Sequence, residues 1–340
     1  MTETPLSARI TPPASLTIPV SDGYEWRAAT PADIDALLDC TRAIGAADHP
    51  HYVVPREEIA EEFEHSYTDA ELDSLVAVTA DGVVDAWGFV TLSPGQDTLV
   101  RSILGGGVRP SARGRGLGRQ LAAWQEGRAL QQLASSTKPL PGWIMLFAEE
   151  TQAQAIALFE RRGFTVARYY LELDRDLSQP IADRELDGTL TLHAFDESLT
   201  EATREARNDS FRDHWGSQPV TGEQWASFAT SSLMRRDLSF VALAPDGEVA
   251  GFVITTVNEE DWPGQGFSSG YIDLVGVRRA WRSRGIAPAL LTRALTAIRD
   301  AGLDKAVLDV DAANPTGALG LYESVGFAES HRSVNLLKTF

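Results

Sequence analysis

The sequence holds a single cysteine, Cys40. One thiol cannot form an intramolecular disulfide, and a thiolate metal cluster is not expected. Cys40 lies in the apolar pattern of Ile34, Leu37 and Leu38, so its expected role is packing. Long hydrophobic runs are missing too: no stretch approaches the ~20 apolar residues of a membrane span. Positive charge is scarce. With 30 Lys and Arg against 48 Asp and Glu, the formal net charge is −18. That balance argues against nucleic acid and anionic membranes as partners, and it admits a cationic small substrate. Residues 1–22 lack the basic and apolar regions of a signal peptide. They read as a disordered or loosely docked leader. The expectation is a cytoplasmic globular protein, and 340 residues suffice for two domains.

One phrase occurs twice. "ARGRGLGRQL" (112–121) and "WRSRGIAPAL" (281–290) each place an Arg three residues before a Gly, with a Gly or Ala two further on. Each is preceded by two strand-like runs around an Asp-Gly turn, Asp81-Gly82 or Asp246-Gly247. Each is followed by a helix-like stretch, an apolar strand, and "ALFERRGF" (157–164) or "GLYESVGF" (320–327). The same order twice implies two copies of one α/β unit. The expected layout is a leader at 1–22, a first domain at 23–176, a charged linker at 177–188 and a second domain at 189–340. Arg113 and Arg282 are 169 residues apart, Phe159 and Tyr322 only 163. The first copy therefore carries about six extra residues, and "SSTKPLPG" (135–142) has the loop chemistry of that insertion.

Both phrases sit between a strand and an amphipathic helix. A glycine turn there exposes backbone N–H groups, and the helix dipole adds partial positive charge, which suits a pyrophosphate. The expected contacts are Arg113, Gly114, Arg115, Gly116, Leu117 and Gly118 in the first copy. In the second they are Arg282, Arg284, Gly285, Ile286 and Ala287. A Rossmann site does not fit, because the glycine spacing differs and Lys138 stands where an acidic residue is wanted.

These features resemble the GCN5-related N-acetyltransferase (GNAT) superfamily. The phrase matches its acetyl-CoA loop, [R/Q]-x-x-G-x-[G/A]. Residues 314–327 match its later motif N-x-x-A-x-x-L-Y-x-x-x-G-F through Asn314, Ala318, Leu321, Tyr322, Gly326 and Phe327, although Ala318 falls four residues after Asn314. The resemblance spans about 24–174 and 189–340. It implies an α/β (α+β) fold of two tandem domains, each a mixed, mostly antiparallel sheet flanked by helices. It also implies acetyl-CoA as cofactor.

In this superfamily an acidic residue on the fourth strand often takes the amine's proton through water, and a Tyr on the later helix protonates the leaving thiolate. Aligning the two copies puts Asp273 opposite Leu104, Tyr322 opposite Phe159, and Asn314 opposite Thr151. The second copy is therefore the expected catalyst, with Asp273 as base and Tyr322 as acid. The first is a degenerate partner that still has an acetyl-CoA loop.

Val275 and Val277, with Val108 in the first copy, are expected on a splayed strand whose N–H groups face the cofactor, and Gly276 suggests a bulge there. Asn314 completes the cofactor set. Phe211, Asp213, His214 and Trp215 form the expected substrate cluster, either an ammonium cage or a packed helix end. Trp262 lies in a Gly/Ser-rich loop (261–270) expected to be flexible. His49 and His51 lack ligand spacing, so no metal site is expected.

The function expected is acetyl transfer to a primary amine of a small molecule by a monomer or homodimer. The alternatives are an acetyl-CoA-binding sensor without turnover and a protein lysine or N-terminal acetyltransferase.

Overall fold

Asp-Gly turns fold the first hairpin of each repeat, with Gly82 and Gly247 both at positive φ. The structure is a computed structural model that describes residues 4–314 and 317–340. The first three leader residues and the motif residues Pro315 and Thr316 lie outside the described residues. The chain divides into two units, Met1–Ala167 with Val334–Phe340, and Arg168–Ser333.

In chain order the elements are α1 (Leu6–Arg9), β1 (Tyr24–Arg27), α2 (Ile34–Asp48), α3 (Arg56–Glu64), α4 (Ala70–Asp73), β2 (Ser74–Thr79), β3 (Val84–Leu92), β4 (Val100–Val108), α5 (Leu117–Ala134), β5 (Gly142–Glu149), α6 (Ala153–Glu160) and β6 (Thr165–Asp176). Then follow β7 (Thr191–Ala194), α7 (Thr200–Ser210), α8 (Gly222–Thr230), β8 (Phe240–Leu243), β9 (Val249–Thr256), α9 (Trp262–Gln265), β10 (Ser269–Val277), α10 (Ile286–Asp300), β11 (Lys305–Asp311), α11 (Ala318–Ser324) and β12 (Ala328–Thr339).

The first unit orders its strands β1-β2-β3-β4-β5, followed by the end of β12. Helix α5 covers one face over Leu75, Val90, Leu104 and Ile144, while α2 covers the other over Val76, Trp87 and Phe89. The second unit runs β7-β8-β9-β10-β11, followed by most of β6. Helix α10 covers one face and α7 the other. Among the ladders of β1–β4 and β7–β11 the pairing is antiparallel except that β4 runs parallel to β5 and β10 parallel to β11.

Two features depart from the expected layout. The units exchange strand ends: β6 passes from the first unit into the second at Ala167, and β12 returns at Val334. Val334 and Leu336 are buried in the first unit's core, and the Phe340 and Gly142 backbones exchange hydrogen bonds of 2.8 and 3.0 Å. Apolar alternation marks a strand without saying which sheet receives it, so the expected cut at 177–188 misses both crossings.

The leader, from the first described residue onward, is also not loose. Leu6 is fully buried, and the Leu6 and Ser7 amides donate to the Lys138 and Ser136 carbonyls, both at 2.9 Å. The insertion of the first copy is thus the leader's docking surface. Among the described residues no helix is long and apolar enough to cross a membrane.

Candidate active site

Strands β10 and β11 run side by side only at their beginnings. Ser269, Gly270 and Tyr271 pair with Lys305, Ala306 and Val307, and then the strands part. In the first unit, residues 100–103 pair with 142–145 before β4 and β5 part in the same way. Beyond the last pair, each central strand has an edge without a ladder partner. Val275 and Val277 turn their side chains to the core on the α10 side, and Val108 packs likewise over the first unit's core.

The two wedges differ at one residue. Strand β10 slips register against β9 between Ile272, opposite Thr255, and Leu274, opposite Ile254, so Asp273 is the extra residue of a bulge. Strand β4 follows β3 without a slip. Matching the ladders, Ile272 corresponds to Leu104 and Leu274 to Gly105, and Asp273 has no counterpart at all. The expected pairing of Asp273 with Leu104 is corrected accordingly. So is the bulge suggested at Gly276, which pairs regularly with Phe252. Its glycine serves packing instead: a Cβ there would lie 2.4 Å from the Phe252 ring.

Because Asp273 is extruded, it meets the end of β9. The Thr256 hydroxyl donates to Asp273 Oδ2 at 2.6 Å. Burial pushes the Asp273 carboxyl up to about 6, the charge of Asp309 adds to the rise, and the Thr256 bond opposes it. At neutral pH it is a carboxylate with an unusually strong affinity for a proton.

Tyr322 stands on α11. Its ring packs edge-on against Phe327 at 6.0 Å, as Phe159 packs against Phe164 at 5.3 Å in the first unit. The side chain is 9% exposed, and among the described residues nothing hydrogen-bonds its hydroxyl. Burial raises that phenol to about 12, so it keeps its proton.

Each helix after the wedge starts bare. Gly285 and Gly116 occupy the N-cap positions of α10 and α5 at φ 74° and 91°, with no side-chain cap. By contrast, α8 has a full capping box from Thr221 and Gln224. The first-turn amides of α10 and α5 are left for an anion. Ile286 and Leu117 are buried, so they offer backbone rather than side chain. Ala287 and Gly118 follow them in the first turn. Sequence reasoning missed Ser283, the one non-glycine residue at positive φ among the described residues, at 63°. The signal was its match to Gly114, at φ 80° in the first loop.

The loop arginines are occupied. Arg282 donates to the Ser210 carbonyl at 2.8 Å and pairs with Asp213 at 3.2 Å, while Arg113 forks onto Asp48 at 2.9 and 2.6 Å. They tie a helix end to the loop. Arg284 lies over Trp281, 4.7 Å from its centroid, and Arg115 donates to the Tyr24 hydroxyl at 3.1 Å.

The expected substrate cluster is largely spent on the same tie. Asp213 pairs with both Arg279 and Arg282. Phe211 packs at a tilt against His214, with ring centroids 4.3 Å apart, and Arg168 covers the Trp215 ring at 5.0 Å. Burial, then Arg207 and Arg282, lower the His214 pKa. This is the packed helix end rather than an open cage. Trp262 is held as well, with its indole N–H donating to the Ser269 carbonyl at 3.2 Å, so the loop around it is a short helix and not a loose flap. Asn314 sits in the turn after β11, where its amide donates to the Asp311 carbonyl at 3.0 Å.

Residues 200–327 match the Acetyltransferase (GNAT) family, and residues 71–166 match an Acetyltransferase (GNAT) domain. The chain belongs to the GNAT acetyltransferase family. A relative from Salinispora arenicola, mycothiol acetyltransferase, is 32% identical over 90% of this chain and 93% of its own. A GCN5-related N-acetyltransferase from Sphaerobacter thermophilus superposes with a TM-score of 0.68 at 27% identity, covering 95% of this chain and 97% of that one. A tandem GNAT protein from the clavulanic acid biosynthesis pathway shares the fold at TM-score 0.64 and 13% identity, covering 93% and 98%.

This GNAT chain is therefore an acyltransferase with acetyl-CoA as donor. The residues fit that molecule. Two uncapped helix starts suit its pyrophosphate. The first unit also holds a carboxyl group with a raised pKa that sequence reasoning missed. Burial and then the charge of Glu58 push Glu62 to about 7, and the Thr91 hydroxyl lies 3.5 Å from it. It has no phenol to match, since Phe159 stands there.

Proposed function

We propose that the second unit transfers the acetyl group of acetyl-CoA to the primary amine of a small molecule, with Asp273 as base through water and Tyr322 as acid. The observation that carries this reading is the contrast between equivalent aromatic pairs. Tyr322 brings a hydroxyl that satisfies nothing in the protein, and Phe159 in the first unit brings none. The hydroxyl keeps access to solvent and is not tied to the protein, so it is free to meet a group that arrives with the substrates.

The protons balance as follows. An ammonium acceptor gives one proton to Asp273 through water. As the C–N bond forms and the C–S bond breaks, Tyr322 protonates the sulfur. The second proton of the amine replaces the one Tyr322 gave up. The first unit, with its own bare helix start, binds a nucleotide without turnover in this reading. Relatives named mycothiol acetyltransferase, aligned over most of the chain, support a small-molecule acceptor.

Tyr322→Phe tests the assignment. The expected loss of turnover is about 10²-fold or more, with acetyl-CoA affinity, measured by titration calorimetry, nearly unchanged. Full turnover in that variant overturns it.

A further inference from the structure

Asp309 on β11 has no part in the mechanism above. It and Asp273 each stand two residues beyond the last paired positions, Val307 and Tyr271, so they face each other where the strands part. Each carboxylate has one oxygen held by a hydroxyl: Tyr271 donates to Asp309 Oδ2 and Thr256 to Asp273 Oδ2, both at 2.6 Å. Among the described residues neither has a lysine or arginine partner. His331 on β12 contacts Glu172 on β6 at 2.9 Å.

Two neighbouring carboxylates with no Lys or Arg paired to either repel each other. Water reaches Asp309, yet the surrounding strands push its carboxyl up to about 6, with Glu172 opposing its ionisation and His331 favouring it. The first unit lacks these groups at the matching register positions. By register, Ile103 replaces Tyr271, the exposed Phe147 replaces Asp309, and Asp273 has no equivalent. Among the described residues no lysine or arginine pairs with Asp273 or Asp309, and an acceptor ammonium would supply that charge.

We propose that Asp309, oriented by Tyr271, is a specificity-determining residue that holds the acceptor's ammonium group opposite Asp273 and so selects aliphatic amines basic enough to arrive protonated. This rests on the reading of the second unit as the catalytic one. Asp273 takes the proton, and Asp309 keeps its charge and holds the nitrogen in place. Loss of Asp309 therefore weakens capture of the amine more than it slows turnover.

The test uses the full chain with acetyl-CoA and two kinds of acceptor, the aliphatic amines glucosamine and n-butylamine and the weakly basic aniline. Asp309→Asn is expected to raise KM for the aliphatic amines about tenfold, as for loss of a hydrogen bond to a charged group. kcat should stay within about threefold, and KM for aniline should not move. Tyr271→Phe should shift KM the same way by less. If none of these acceptors is turned over, calorimetric titration of the same amines into CoA-saturated protein replaces KM, with the same loss expected.

An unchanged KM or affinity for the aliphatic amines overturns the proposal. So does an equal rise for aniline, or failure of the parent protein to bind any aliphatic amine. Asp273→Asn is the control: full turnover in that variant refutes the catalytic assignment, whereas the KM response to Asp309→Asn decides the present claim.

Discussion

The Thr256 hydroxyl reaches Asp273 Oδ2 at 2.6 Å because one extra residue in β10 turns that carboxylate toward the end of β9. The bond favours the ionised form, while burial and the nearby Asp309 favour the neutral one, leaving the carboxyl at about 6. A base works only when ionised. The acid limb of kcat/KM should therefore fall below a midpoint near pH 6, and the value belongs to the coupled Asp273–Asp309 pair. Thr256→Val removes a bond that lowers the pKa, so the limb should move to higher pH. Asp273→Asn should cut turnover by roughly 10²–10⁴-fold, with any remaining limb belonging to Asp309. A pH–rate series on the three proteins decides it, and a limb that Thr256→Val leaves in place counts against the assignment.

Gly276 should tolerate no side chain. The Phe252 ring against it is fully buried, so a methyl group has nowhere to go. Gly276→Ala should cost about 1–3 kcal/mol, as overpacking does. Urea unfolding measures the loss, and adding Phe252→Leu should restore much of it.

Ser283 is held in a left-handed conformation that a β-branched residue resists. Ser283→Val should distort the loop and weaken acetyl-CoA binding about tenfold, from a strain of roughly 1–3 kcal/mol. Ser283→Gly should bind at least as well as the parent. Calorimetry compares the three, and equal affinity for Val and Gly would show that the loop's backbone does not matter.

Leu336 tests the strand exchange. It lies near the end of the chain, fully buried in the first unit's core. Leu336→Ala should cost about 2–5 kcal/mol. Hydrogen exchange should quicken in β5 while β9 keeps its protection. The reverse pattern would place the strand end in the other unit.

What the sequence made legible was local. Asp81-Gly82 and Asp246-Gly247 turn where their chemistry requires, and the Arg-x-x-Gly loops open helices as that spacing implies. What it hid depends on partners distant in sequence. An inserted residue such as Asp273 shows only against the register of β9, and Gly276 points to irregularity until the Phe252 ring beneath it is seen. Arg113 and Arg282 read as phosphate ligands because their charge is visible and their tethers, Asp48 and the Ser210 carbonyl, are not. Asp309 carried a readable signal: it interrupts an apolar strand as Asp273 does.

The exchange of strand ends sets an order of events during synthesis. Residues 334–340 leave the ribosome after every residue of the second unit, yet they complete the first unit's sheet. The half that is translated first must wait with an open edge until the other half has been made, so the nascent chain closes its domains in the reverse of the order in which it is written.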